Sequence, residues 1–128
     1  MKTKVTHGIC ISVQAKYNEK LSYLEENSFI FEYQINIQNS NSDEVKLLSR
    51  EWYVFDSLDE PHVVEGLGVV GEQPNLKFNE SHAYVSYCEL KSEMGYMEGN
   101  YTFLNLTTNK KFKVIIPRFD LIFPGKLN

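Results

Sequence analysis

The sequence predicts an all-β protein built as a two-sheet sandwich, and three observations lead there. Apolar and polar residues alternate with a two-residue period over one stretch after another, the spacing of a half-buried strand. Tyr (8) and Phe (8) supply nearly all of the aromatic content of 13%, and both types favour strands. Turn signals separate at least seven such stretches, whereas apolar runs at helical spacing are scarce.

The first strand runs from Ile9, with Ile11, Val13, Ala15 and Tyr17 on one face and Cys10, Ser12, Gln14 and Lys16 on the other. Residues 18–27 are polar enough for a loop that Leu21, Tyr23 and Leu24 tack down. In the second strand Phe29, Phe31, Tyr33, Ile35 and Ile37 share a face, and the run Asn39-Ser40-Asn41-Ser42-Asp43-Glu44 ends it in a turn. The third, Val45 to Phe55, holds the single tryptophan. Its even face would carry Leu48, Trp52 and Val54 but also Arg50, and an inward Arg must be paired or lie near the sheet edge. The register of this strand is therefore in conflict.

Asp56-Ser57-Leu58-Asp59-Glu60-Pro61 reads as a hairpin loop, and Val63-Val64-Glu65 begins the return strand. Leu76 and Phe78 follow. Ala83, Val85 and Tyr87 then alternate with His82, Tyr84 and Ser86, and Met97, Gly99, Tyr101 and Phe103 form a further alternating run. In the last stretch Phe112, Val114 and Ile116 precede Pro117, after which the apolar phase moves to Phe119, Leu121 and Phe123. Such a shift predicts a bulge or break at a sheet edge.

The 128 residues fit one domain, 1–128, able to bury a core without staples. A formal net charge of -4 and a pI near 5.4 argue against general attraction to nucleic acid or an anionic membrane. The short run Lys110-Lys111-Phe112-Lys113 is explained as a charged strand edge that discourages pairing. No stretch has the form of a signal h-region or a membrane-spanning helix. Two cysteines without C-x-x-C spacing read as reduced thiols of a cytoplasmic protein, and three N-x-S/T sequons read as chance.

The candidate site is Gly66-Leu67-Gly68-Val69-Val70-Gly71, which spells G-x-G-x-x-G. In a dinucleotide fold this pattern leaves a strand and opens a helix whose N-terminus meets the pyrophosphate. Here Leu76, Phe78, Ala83 and Val85 do not follow helical spacing. Asp56, Asp59, Glu60, Glu65 and Glu72 surround the run with no Lys or Arg among them, so a polyphosphate meets repulsion unless Lys77 or Arg50 reaches in. Gly66, Gly68 and Gly71 are then glycines that let a strand bend, with a pyrophosphate or nucleotide site as the alternative.

The acidic hairpin lacks the spaced ligands of a calcium loop, and His7, His62 and His82 lack zinc spacing; a divalent metal at the hairpin is the lesser alternative. No cofactor is expected. No Ser, Cys or His sits in a nucleophile motif; Cys88 shares a strand side with His82 but reads as a small hydrophobe.

Taken together, Leu47-Leu48-Ser49-Arg50-Glu51-Trp52, Glu65 through Pro74, Tyr84-Val85-Ser86-Tyr87-Cys88, Met97-Glu98-Gly99-Asn100-Tyr101 and Ile116-Pro117-Arg118-Phe119 resemble the ApaG family, in family order and over nearly the whole chain. The resemblance implies an immunoglobulin/fibronectin-III-like sandwich. It also implies a noncatalytic binding or adaptor module, since the domain occurs in F-box and polymerase-interacting adaptors, and a link to cobalt and magnesium tolerance. The family's glycine pattern maps onto Gly66, Gly68 and Gly71 and carries an implied nucleotide-binding role. The expected partner is a protein, met at a sheet face or edge near the glycine run. The run Phe119-Leu121-Phe123 either closes the core or supports a homodimer.

Overall fold

The computed structural model describes residues 1–127, as nine strands and two short 3-10 turns. The strands are β1 (Lys2–Thr6), β2 (Ile9–Tyr17), β3 (Phe29–Asn39), β4 (Val45–Asp56), β5 (His62–Leu67), β6 (Asn75–Leu76), β7 (Ser81–Leu90), β8 (Met94–Asn105) and β9 (Lys111–Ile122). All pairings are antiparallel. One sheet has the order β1-β2-β3-β7, the other β5-β4-β8-β9, with β6 also on β4. No described helix is long and apolar enough to cross a membrane.

Their inner faces make the expected sandwich. Ile9, Ile11, Val13, Phe31, Ile35 and Ile37 from the first sheet are buried against Leu47, Trp52, Tyr101, Phe103, Val114 and Ile116 from the second. Each such side chain contributes roughly 1.5–3 kcal/mol by leaving water. Trp52 meets the rings of Tyr33 and Phe119 edge-on, at 5.4 and 5.9 Å between centroids. At one side of the sandwich β1 and β2 pack against β9, with the Ile115 N–H donating to Thr6 Oγ1 at 3.3 Å.

The conflict in β4 resolves as a bulge. Leu47 pairs with Phe103 but Ser49 pairs with Thr102, so Leu48 is an extra residue. The inward face passes from Val45 and Leu47 before it to Trp52, Val54 and Asp56 after it, and a bulge does this by adding one residue to a two-residue period. The shift expected at Pro117 is also present. Met97 pairs with Phe119 and Gly99 with Ile116, so β9 carries one extra residue there. Both Phe119 and Leu121 are buried, and Phe123 packs edge-on against Tyr17 and Phe29. The C-terminal run thus closes the core with Phe119 and Leu121 and packs Phe123 partly buried against it.

Three expectations need correction. Lys2–Thr6 is a strand, although it has no apolar face; it is an exposed edge, and His7 and Gly8, both at positive φ, turn it back onto β2. Leu21, Tyr23 and Leu24 are at least half exposed and do not tack their loop down; backbone bonds between Tyr23 and Ser28 do. In β7 the apolar alternation points the other way. Tyr84, Cys88 and Leu90 face the core, whereas Val85 and Tyr87 face water. The pairings Tyr33↔Ser86 and Phe31↔Cys88 impose this, because residues opposite each other in a ladder share a face.

Candidate functional site

The glycine run joins β5 to β6, which lie along the same edge of β4. No helix follows it. Gly68 has a φ of 59°, and a Cβ there would lie 2.0 Å from the Glu72 carbonyl oxygen. Val69 is buried. Val70 and Gly71, with φ of 47° and 79°, then reverse the chain, and Val69 and Glu72 exchange N–H···O bonds of 2.7 and 3.0 Å. Two consecutive positive φ values are those of a type I′ turn. The loop docks on the β4 bulge, where the Leu48 carbonyl accepts from the Gly68 N–H and from Gln73 Nε2, each at 2.8 Å.

Arg50 does reach in, but it serves the loop. Its Nη1 donates to the carbonyls of Leu67 and Gly68, both at 2.9 Å, and Gly66 lacks a side chain where the guanidinium lies. The structure therefore brings Gly66 and Gly68 together around one cation, and leaves Gly71 in the turn beyond them. The N–H groups of Gly68, Val69 and Glu72 make internal bonds, instead of pointing at an anion as a phosphate cradle requires.

The acidic hairpin is likewise internally occupied. Asp56 is 3% exposed. Its carboxylate accepts from the Leu58 N–H at 3.2 Å, the Lys91 N–H at 2.6 Å and the Ser92 hydroxyl, which ties the β4–β5 loop to the β7–β8 loop. Asp59 pairs with Lys91 at 3.7 Å. His7 lies edge-on to Phe112, His62 begins β5, and His82 pairs with Glu72 at 3.6 Å, so the three imidazoles stay apart. No group of three His, Cys, Asp or Glu placed to hold a metal occurs among the described residues.

Opposite the closed β1–β9 side, the edges of β5 and β7 leave the sandwich open. Between them lies a cleft of about 270 Å³, lined by apolar Trp52, Val64 and Met97 and by polar Arg50, Ser86 and Glu89 among others. Deeper in, the Tyr84 and Tyr101 hydroxyls hydrogen-bond to each other, and burial pushes both phenols up, as it does Tyr33. Burial also pushes the Cys88 thiol up to about 12, so it stays protonated near neutrality and is no nucleophile.

The two kinds of edge differ in sequence. β1 carries Lys2 and Lys4, and β9 carries Lys111, Lys113, Pro117 and Arg118. Lysines and proline are the devices that stop a foreign strand from pairing. β5 and β7 contain no Lys, Arg or Pro. β5 exposes Val63, Val64 and Leu67, the last 77% exposed, and β7 exposes Val85 and Tyr87; Val64 and Tyr87 line the cleft, while Val63, Leu67 and Val85 lie on the outer faces of their sheets. Sequence reading pointed to a sheet face or edge near the glycine run but not to which strands, because alternation alone does not say which strands are edges.

A family model described as ApaG domain matches residues 19–105. The Protein ApaG of Shewanella halifaxensis is 37% identical over 126 residues, covering 98% of this chain and 99% of that protein. The Protein ApaG of Vibrio cholerae is 41% identical over 120 residues, 94% of each chain. Among solved structures, that of a Bordetella pertussis protein described as ApaA superposes with a TM-score of 0.86 at 33% identity, covering 91% of this chain and 94% of its own.

Proposed function

This chain belongs to the ApaG family, and we propose that it works as a noncatalytic binding module whose partner is a protein docked on the open side of the sandwich, across β5 and β7. The observation that carries this is the asymmetry of the edges. The closed side is guarded by Lys and Pro, while the open side presents unguarded backbone and exposed Val63, Val64, Leu67, Val85 and Tyr87. Exposed apolar residues gathered beside an unguarded edge mark an interaction surface. The glycine loop supports that surface by holding the end of β5 through Arg50. Any link to cobalt and magnesium tolerance would then run through the partner, since Asp56 and Asp59 already have internal partners.

The test is capture of a partner by the tagged protein from a cell extract, repeated with Val64→Asp, Val85→Asp and Val5→Asp, each checked for folding by thermal melting. The partner should be retained by Val5→Asp, altered on the guarded edge, and lost by the other two. Retention by all three would remove the open side as the docking surface. Calorimetry with pyrophosphate, ATP, Mg²⁺ and Co²⁺ tests the small-ligand alternative; saturable heat with any of them would favour it over a protein partner.

A further inference from the structure

Resting on the protein-binding reading above, we propose that β5 accepts an extended segment of another protein as an added strand, and that this segment alternates apolar and basic residues. β5 pairs only with β4, from Ser49↔Leu67 to Val54↔His62, so its other edge offers a row of backbone donors and acceptors. Strand addition uses such an edge for affinity and the alternating side chains for specificity.

The two faces of β5 set what those side chains must be. Its inner face carries His62 and Val64 beside the cleft, so every second residue of an added strand points into a space where Tyr33, Trp52 and Met97 lie beside Arg50, Ser86 and Glu89. An apolar residue fits there. The outer face carries Val63, Glu65 and Leu67. Glu65 stands directly opposite Glu51 across β4 and β5, and like charges in that relation repel. The two carboxylates line a surface depression of about 340 Å³ in which the cations are Lys113 and Arg50. Arg50 is turned to the Leu67 and Gly68 carbonyls and Glu51 accepts from the Tyr53 hydroxyl and Asn100, so Glu65 makes no ion pair within 4 Å among the described residues. A Lys or Arg on the outer side of the added strand would lay its stem along Val63 or Leu67 and its charge beside Glu65. A second copy of this chain meets the site poorly through its own open edges, because β5 and β7 bring no Lys or Arg.

The probe is the peptide acetyl-Lys-Val-Lys-Val-Lys-Val-amide, titrated into ¹⁵N-labelled protein, with acetyl-Glu-Val-Glu-Val-Glu-Val-amide as control. The basic peptide should shift the amides of Val63 to Leu67 and slow their exchange, and the acidic one should leave them unchanged. Glu65→Lys should weaken binding about tenfold. That variant also relieves the repulsion from Glu51, so it should melt no lower than wild type, which separates lost binding from lost folding. Shifts confined to β7, equal binding of both peptides, or no shift at all would overturn strand addition at β5. So would concentration-dependent self-association that protects the β5 amides without peptide. If neither peptide binds while partner capture still depends on Val64 and Val85, strand addition fails and the protein-binding reading stands; if capture is also indifferent to them, both fall.

Discussion

The Arg50 guanidinium lies where a side chain at Gly66 would be: a Cβ built on Gly66 falls 2.6 Å from Nη2. The two residues are directly opposite each other in the β4–β5 ladder, so the glycine is what lets an inward Arg fold back and bond the Leu67 and Gly68 carbonyls. Gly66→Ala should displace the guanidinium, and Arg50→Ala should remove it. Each should cost about 1–2 kcal/mol, the scale of hydrogen bonds from a charged group at a part-exposed site. Urea denaturation of the double variant should give nearly the loss of one single variant, since both act through the same contacts. Additive losses would mean the two residues act separately.

The glycines of the loop should not be equivalent. At Gly68 a Cβ would collide with the Glu72 carbonyl, whereas at Gly71 nothing lies within 4 Å and only the positive φ matters. Gly68→Val should therefore cost more than about 3 kcal/mol or prevent folding, and Gly71→Ala about 1 kcal/mol. Thermal melts of the two variants check this. A Gly68→Val protein of wild-type stability would show that the loop is not held as described.

Val70 is a β-branched residue at a φ of 47°, a conformation that crowds its Cβ, and its side chain is mostly exposed. Replacement by Asn or Gly, which suit the first central position of a type I′ turn, should stabilise the protein by about 1 kcal/mol. The melting temperature should rise by a few degrees. An unchanged or lower value would contradict the strain assigned to this turn.

Alkaline pH should weaken the fold through Cys88. Burial raises its thiol from 9.0 to about 12 in the folded chain, so the native state holds the proton more tightly than the unfolded one. The stability tied to this group is full below pH 9 and is lost as pH rises from there towards 12. Cys88→Val should reduce the slope of the stability–pH curve between about pH 9 and 10, above which the buried phenols of Tyr33, Tyr84 and Tyr101 add a loss of the same sign. Iodoacetamide at pH 8 should modify Cys88 far more slowly in the native protein than in urea.

Most of the strand plan was legible from side-chain alternation. β2, β3 and β8 keep a two-residue period on a buried face, and in β9 the phase change at Pro117 marked its bulge. β4 was half legible: Arg50 on the Trp52 face signalled a register fault, but Leu48 looks like any strand residue, and only the pairing with β8 shows it to be the extra one. β1 was hidden because an edge strand over solvent needs no apolar face; the turn at His7-Gly8 was the available signal. In β7 both faces carry apolar side chains, so alternation could not say which one met the core.

At the site, the residues alone determined that Gly66, Gly68 and Gly71 interrupt a strand within an acidic stretch and that no helix takes up the pattern. That much follows from local spacing and charge. Where the glycines lead was decided by tertiary structure: Gly66 makes room for Arg50, Gly68 for the Glu72 carbonyl, and Gly71 supplies a turn. The open side was decided there as well. A strand's own sequence fixes its two faces, but whether its edge is paired depends on which other strands come to lie beside it. For β5 and β7, none does on the outer side, and that leaves the cleft open between Val64 and Tyr87.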